Sequence, residues 1–399
     1  MLIVNNKRYI KKHAIGGSGI FEKKPIVDNG IERFEFHKYK PINGTNLNAG
    51  EIRINIEQQD LFTLPSEAYL LFKGQLVKAD GTAYANVDAV ALTNNVQGLN
   101  QLCYKDGTTT AVLADNSGFA LRQLYIIQKP TTKGTFSFCI PLRHIFGFFD
   151  DYDKVIYGLK HTITLVRQCD DDATFKLAGV AAGVNLNKIS LFMLNVLPSD
   201  TEKFTLYKLI ESKDLLLPVN FRQRLFDSIS VPQATSFSWP LSVKSSPENP
   251  RYIIVGFQTN KRLDQNANPS IFDHCDLKNM YILLNNQERY PAVDYNLSFP
   301  NQQISRVCRD EAVFNENIYG TNELIKQSNI NSFDYKDLYP LFVFNISNQS
   351  EKLKSTVITA QIRTTFNTAV PAGTMAYAFL ISDRMIQLKL DGNKMDIVY

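Results

Sequence analysis

Apolar and polar positions alternate strictly in several stretches of this chain, the two-residue period of a half-buried strand. Glu51-Ile-Arg-Ile-Asn-Ile-Glu57 puts Ile52, Ile54 and Ile56 on one face. Phe136, Phe138 and Ile140 alternate with Ser137 and Cys139, and Leu159, His161, Ile163 and Leu165 alternate with Lys160, Thr162 and Thr164. Ile358, Ala360, Ile362 and Phe366 alternate with Thr359, Gln361, Arg363 and Thr365. The unbroken runs Tyr252–Val255 and Tyr281–Leu284 predict strands buried on both faces. Convincing helices are few, the two best being residues 116–129 (Phe119, Leu121, Leu124, Ile127) and 302–318 (Ile304, Val307, Cys308, Phe314).

The order of these elements repeats. Segments 51–57, 69–74, 116–129, 135–141, 158–167 and 188–197 recur in kind as 235–243, 252–256, 302–318, 340–346, 356–366 and 375–390. The offset is about 185 to 205 residues, too long for a solenoid and right for a duplicated domain. Individual residues match poorly between the halves, so element order carries the reading. At 399 residues, two cores are also the natural division. We therefore expect an all-β chain of two tandem eight-stranded jelly-roll barrels with long loops and a few short helices. Residues 1–25 form a flexible basic arm, 26–200 the first barrel and 201–399 the second, with Leu197-Pro198-Ser199-Asp200 as linker. A parallel α/β fold would need a helix between most strands, and these are missing.

Composition supports β structure through 26 Phe and 18 Tyr. A formal net charge of +4 is too mild for a protein whose main work is holding nucleic acid. The basic arm is the exception: Lys7, Arg8, Lys11, Lys12 and His13 precede Gly16-Gly17-Ser18-Gly19, a flexible hinge. It reads as a solubilising tail, a segment lying on nucleic acid or an acidic inner surface, or an arm reaching over a neighbouring subunit. Cys103, Cys139, Cys169, Cys275 and Cys308 are odd in number and scattered, and are expected as buried reduced thiols. Charges in Met1-Leu-Ile-Val-Asn-Asn-Lys-Arg8 stand where a signal peptide needs its apolar core, so synthesis in the cytosol is expected. The sequons at Asn43, Asn296, Asn345 and Asn348 then carry little meaning.

Catalytic patterns are missing: no Gly-x-Ser-x-Gly elbow, no phosphate-binding loop, no His-Glu-x-x-His. His13, His37, His144, His161 and His274 lie apart, and the His-x-His by which jelly-roll enzymes bind metal does not occur. His161 falls on an apolar strand face and is expected as a hydrogen-bonded core histidine. Asp273-His274-Cys275-Asp276, read as strand, turns neighbours to opposite faces and so brings at most two ligands to one metal. Phe149-Asp150-Asp151-Tyr152-Asp153-Lys154 and Cys169-Asp170-Asp171-Asp172 lack the pattern of a calcium loop and read as solvated acidic turns. No enzyme activity, cofactor or metal is expected.

Several blocks of the second half resemble one family. Pro250-Arg-Tyr-Ile-Ile-Val-Gly-Phe-Gln-Thr-Asn-Lys-Arg262 with Ser270-Ile-Phe-Asp-His-Cys-Asp-Leu-Lys-Asn279 is similar to the double-jelly-roll major capsid protein of Polinton/Maverick elements and adintoviruses. Leu194-Asn-Val-Leu-Pro-Ser-Asp-Thr-Glu-Lys203 with Leu217-Pro-Val-Asn-Phe-Arg222 resembles that family's inter-barrel connection, and Pro371-Ala-Gly-Thr-Met-Ala-Tyr-Ala-Phe-Leu-Ile-Ser-Asp-Arg384 its ending. The resemblance runs from about residue 190 to the end and carries no catalytic motif.

It implies a homotrimer: six similar barrels around a threefold axis, tiling an icosahedral shell beside neighbouring capsomers, with a minor single-jelly-roll penton protein at the fivefold vertices. The virion is the implied location. Ile15-Gly16-Gly17-Ser18-Gly19 resembles the cleavage consensus of adenovirus-type maturation proteases, which such elements encode, so a cut after Ser18 would remove the arm. The competing reading is a β-sandwich binding module, lectin-like or a receptor-binding spike, which forms no lattice.

Overall fold

The alternating segments do become strands, and their pairing order defines the architecture. The computed structural model describes residues 30–42, 47–48, 50–57, 62–92, 108–111, 116–168, 170–177, 179–211, 216–242, 250–320, 330–348, 359–391 and 394–398. The first half contributes β1 (Ile31–Tyr39), β2 (Glu51–Ile56), β3 (Phe62–Val77), β4 (Val90–Leu92), β5 (Thr135–Pro141), β6 (Ile156–Tyr157), β7 (His161–Val166), β8 (Thr174–Lys176) and β9 (Gly183–Pro198). The second half contributes β10 (Leu216–Ser230), β11 (Ser236–Pro240), β12 (Pro250–Thr259), β13 (Leu277–Leu284), β14 (Glu288–Tyr290), β15 (Phe342–Asn345), β16 (Ala360–Phe366), β17 (Thr374–Asp391) and β18 (Lys394–Val398). Between them lie the helices α1 (Ser117–Ile126), α2 (Gly147–Asp151), α3 (Asp200–Glu211), α4 (Ser305–Tyr319) and α5 (Ser332–Asp337).

In the second half, β10, β17, β12 and β15 lie side by side in one sheet, and β11, β16, β13 and β14 in the other; β18 extends the first sheet beyond β17. Counted along the chain, the eight barrel strands therefore sit as first, eighth, third, sixth and second, seventh, fourth, fifth. That interleaving is a jelly roll. The first half repeats the first of these sheets, with β1, β9, β3 and β5 side by side; in place of the second sheet it has two separate ladders, β2 with β7 and β4 with β8. Every named strand pair is antiparallel.

Each barrel closes on side chains that the period-two pattern turns inward. In the first, Ile52, Ile54 and Ile56 of β2 face Leu70 of β3 and Ile189, Leu191 and Met193 of β9. In the second, Ile253, Val255 and Phe257 of β12 face Met280, Ile282 and Leu284 of β13 and Ile362 of β16. Phe257 meets Phe366 edge-on at 5.6 Å between the sheets. Each such side chain stabilises by roughly 1.5–3 kcal/mol through burial alone. The two helices with sequence periodicity occupy matching places: α1 precedes β5 and α4 precedes β15, the strands at the corresponding edge of each half's first sheet. Asn116 caps α1 by accepting from the Phe119 N–H at 2.9 Å, and Gly320 ends α4 in the left-handed region, φ 67°.

Several local expectations change. Leu217–Arg222, read as connection, lies inside strand β10, and the presumed linker at Asp200 begins helix α3. Tyr281–Leu284 is buried on one face, at Ile282 and Leu284, rather than both. Asp273-His274-Cys275-Asp276 is a loop, not a strand; Cys275 and Asp276 have φ of 48° and 47°. Cys139 is exposed and Cys275 and Cys308 are half-buried, all three with free thiols. Cys139 sits on the outer face of β5 because its neighbour Phe138 fills the core.

His161 is half-buried, and its Nδ1–H donates to the Leu159 carbonyl at 3.1 Å. Its Nε2 is buried without a partner, so burial pushes its pKa below the usual value, with the Leu159 carbonyl pulling weakly the other way. His274, stacked on Phe299 at 4.3 Å, is depressed by burial too. A histidine held neutral in the fold contributes stability above its unfolded pKa of about 6.5, and that contribution declines as pH falls below it. Urea midpoints should therefore drop between pH 7.5 and pH 5.5, and His161→Leu should flatten part of that slope; a slope identical to wild type would remove His161 from the account.

Candidate functional site: the junction between the barrels

Four strands are longer than their own barrels require. β3 and β9 have 16 residues each, β10 has 15 and β17 has 18. The first-barrel pair holds Phe62 opposite Val196 and Leu64 opposite Leu194. Pro65 follows at once, and the register slips between Leu64 and Tyr69, as expected of a residue that cannot donate to the ladder. The second-barrel pair holds Val219 opposite Ile386 and Leu217 opposite Leu388. These overshooting ends meet. Phe62, Leu64, Tyr152, Ile156, Tyr157, Leu194 and Val196 from the first half form one apolar core with Val219 and Leu388 from the second, and Phe221 and Ile386 pack against it.

Helix α2 completes the junction from the segment Gly147-Phe-Phe-Asp-Asp151. Phe149 joins the first-barrel core, whereas Phe148 stacks on Tyr152 at 5.6 Å and meets Phe221 of β10 edge-on at 5.5 Å. β10 is an edge strand, and its outer backbone groups need partners. Asp151 supplies one, accepting the Arg222 backbone N–H at 2.6 Å and the Arg222 Nε–H at 2.8 Å. Arg224 donates to Asp150 at 2.8 Å and to the His144 carbonyl at 2.9 Å. Gly147 is required by close approach: a Cβ there would stand 1.6 Å from the Arg222 carbonyl oxygen. Asp150 and Asp151, expected as solvated, are thus about a third exposed or less and engaged by two arginines. Partly screened pairs of this kind stabilise by about 1 kcal/mol each; their larger effect is geometric, fixing where β10 lies.

A second contact joins the barrels. The loop after β12 reaches back, with the Lys176 N–H donating to the Gln265 carbonyl at 2.8 Å and Gln265 Nε2 donating to the carbonyls of Asp171 and Ala182 at 3.0 and 3.1 Å. Asn268 N–H donates to Thr109 at 2.7 Å, and Leu263 N–H to Asp172 at 3.1 Å. Burial raises the Asp172 carboxyl above its usual range while that N–H opposes the shift. The second acidic turn is therefore a docking point as well.

Elsewhere, chemistry-bearing side chains are taken up by structure. Asp273 pairs with the buried Lys261 at 2.9 Å, His274 Nδ1 accepts from the Asp276 N–H at 2.8 Å, and burial pushes the Cys275 thiol up to about 11. Among the described residues, no three His, Cys, Asp or Glu side chains converge as a metal site, and no helix is long and apolar enough to cross a membrane. The arm residues Lys7, Arg8, Lys11 and Lys12 and the motif Ile15-Gly16-Gly17-Ser18-Gly19 lie outside the described residues. Sequence reasoning missed Gly147, Arg222 and Arg224. Arg222 and Arg224, two apart on a strand and so on one face, were the available signal, together with the Phe-Phe-Asp-Asp run.

Gly147→Ala should force α2 off β10. The wild type should unfold in one calorimetric transition, and Gly147→Ala should split it in two, with a loss of about 3 kcal/mol and unchanged far-ultraviolet dichroism; one cooperative transition of the variant at the wild-type temperature would show that the junction does not depend on this approach.

A chain in the cryo-EM structure of the Sputnik virophage superposes with a TM-score of 0.53 at 11% identity, covering 94% of this chain and 90% of that one. The crystal structure of the mavirus major capsid protein gives a TM-score of 0.49 at 13% identity, covering 96% and 92%. No curated protein sequence matches. The model of the double jelly roll-like domain family matches residues 70–386, which is most of the 399-residue chain, and the chain belongs to that family.

Proposed function

We propose that this protein is a major capsid protein, a non-enzymatic subunit of the shell of a DNA virus or virus-like transposon of the Polinton/Maverick and adintovirus kind. One observation carries the reading: two jelly rolls, each with a first sheet of the same strand order, are joined by a shared core, so a single chain already supplies two similar building blocks. Three copies then present six such barrels around a threefold axis and fill sixfold positions of an icosahedral lattice. The first barrel spans residues 26–200 and the second 201–399. Neighbouring capsomers and a single-jelly-roll penton protein are the partners, and the virion is the site of action.

The N-terminal 25 residues are the arm of this design. Lys7, Arg8, Lys11 and Lys12 contact the genome or an inner membrane non-specifically through charge. A maturation protease cuts after Ser18 within Ile15-Gly16-Gly17-Ser18-Gly19. Intact-mass spectra of assembled particles should then begin at Gly19; particles that retain Met1 to Ser18 would sink this step.

The reading as a whole is tested by purifying the full chain. Sedimentation velocity should give three times the chain mass, and negative-stain images should show a pseudo-hexagonal outline. A monomer under every condition of salt and concentration would overturn the capsid reading.

A further inference from the structure

β1 is an edge strand of its sheet, just as β10 is of its own. The two edges are treated differently. The first barrel covers β10 with Gly147, Asp150 and Asp151, and among the described residues no comparable helix covers β1. An edge strand with exposed apolar side chains is a template for association, and β1 has two of them: Phe34 is 47% exposed and Phe36 51%.

These rings continue the junction already described. Phe34 pairs with Val196 and Phe36 with Leu194, both members of the inter-barrel core. Phe36 meets Tyr69 edge-on at 5.5 Å, and Tyr69 stacks on Phe192 at 5.0 Å, so an aromatic row crosses β1, β9 and β3 on the outer face of the sheet. Lysines border the row. Lys73 is the register partner of Lys188, and contact with Lys188, with Lys40 and Lys73 nearby, holds the Lys38 ammonium below its usual range. Crowded like charges of this kind favour a partner that brings carboxylates, as Asp150 and Asp151 do for Arg222 and Arg224.

We propose that the outer face formed by Phe34, Phe36, Tyr69 and Phe192, with its lysine border, is where a second copy of this chain docks, its second barrel covering β1. The inference rests on the capsomer reading and adds the surface. Within one chain the first barrel covers the edge strand of the second. Continuing the same head-to-tail relation, the second barrel of one copy covers β1 of the next, and a heterologous contact repeated with a closing rotation makes a ring. The exposed row is also continuous with the existing interface, so the neighbour extends a core that is already started.

Cys139 is a built-in reporter. It is exposed on the same outer face, the register partner of Leu71. In the full-length protein, its alkylation, followed by peptide mass mapping, should be at least about tenfold slower in the trimer than in the double variant Phe34→Glu/Phe36→Glu, in keeping with aromatic anchors dominating such contacts. That variant should sediment as a monomer with unchanged dichroism. Lys38→Glu/Lys188→Glu, at two exposed positions, should weaken the trimer in low salt and serves as the second probe. A trimeric double variant, or equal Cys139 reactivity in trimer and monomer, overturns the docking face and leaves the capsomer reading standing; a wild-type protein that never leaves the monomer overturns both. If deleting residues 1–29 alone unmasks Cys139 in a protein that stays trimeric, the chain's own N-terminal segment covers the face and the proposal fails.

Discussion

An open β-sheet must hide the backbone groups of its edge strands, and the edge at β10 organises much of this molecule. A carboxylate from the other barrel takes the Arg222 amide, two arginine side chains close over the same acidic pair, and a glycine lets the backbones touch. None of these contacts is large in energy by itself. Together they specify one position of the first barrel against the second, and the apolar core beside them supplies the stabilisation.

That core exists because strands overshoot their barrels. A seven-residue strand such as β16 suffices to span one sheet, yet β10 and β17 run on in continuous register, and their extra residues serve a second core. A strand shared between two cores couples them mechanically, since a shift of one residue would turn every side chain to the wrong face in both places. For the shell subunit proposed above, this is a fitting arrangement: two similar blocks held in fixed relation.

Groups that look reactive in the sequence turn out to be structural. The Asp273 loop holds Lys261, His274 stacks on Phe299, and both acidic turns receive donors from the opposite barrel. The polar chemistry of the chain is used for docking its own parts, in line with the assembly role proposed.

The barrel strands were legible because side-chain alternation is a local property. Ile52, Ile54 and Ile56, the Phe136–Ile140 run and the Ala360–Phe366 run show their faces without any knowledge of neighbours, and the repeated order of elements followed from them. The helices α1 and α4 were legible for the same reason. The first strand of each half was not. β1 carries Phe34 and Phe36 on its outer face and Tyr39 toward the core, and β10 carries Val219 and Phe221 for the junction but Phe226 for the surface, so neither shows a clean period. The junction residues were hidden likewise: Gly147, Asp151 and Arg222 acquire a role only when segments about 70 residues apart meet. Local alternation of side chains determined the strands and their repetition, and tertiary structure alone decided which outward faces and edges are covered, because covering is a relation between distant parts of the chain.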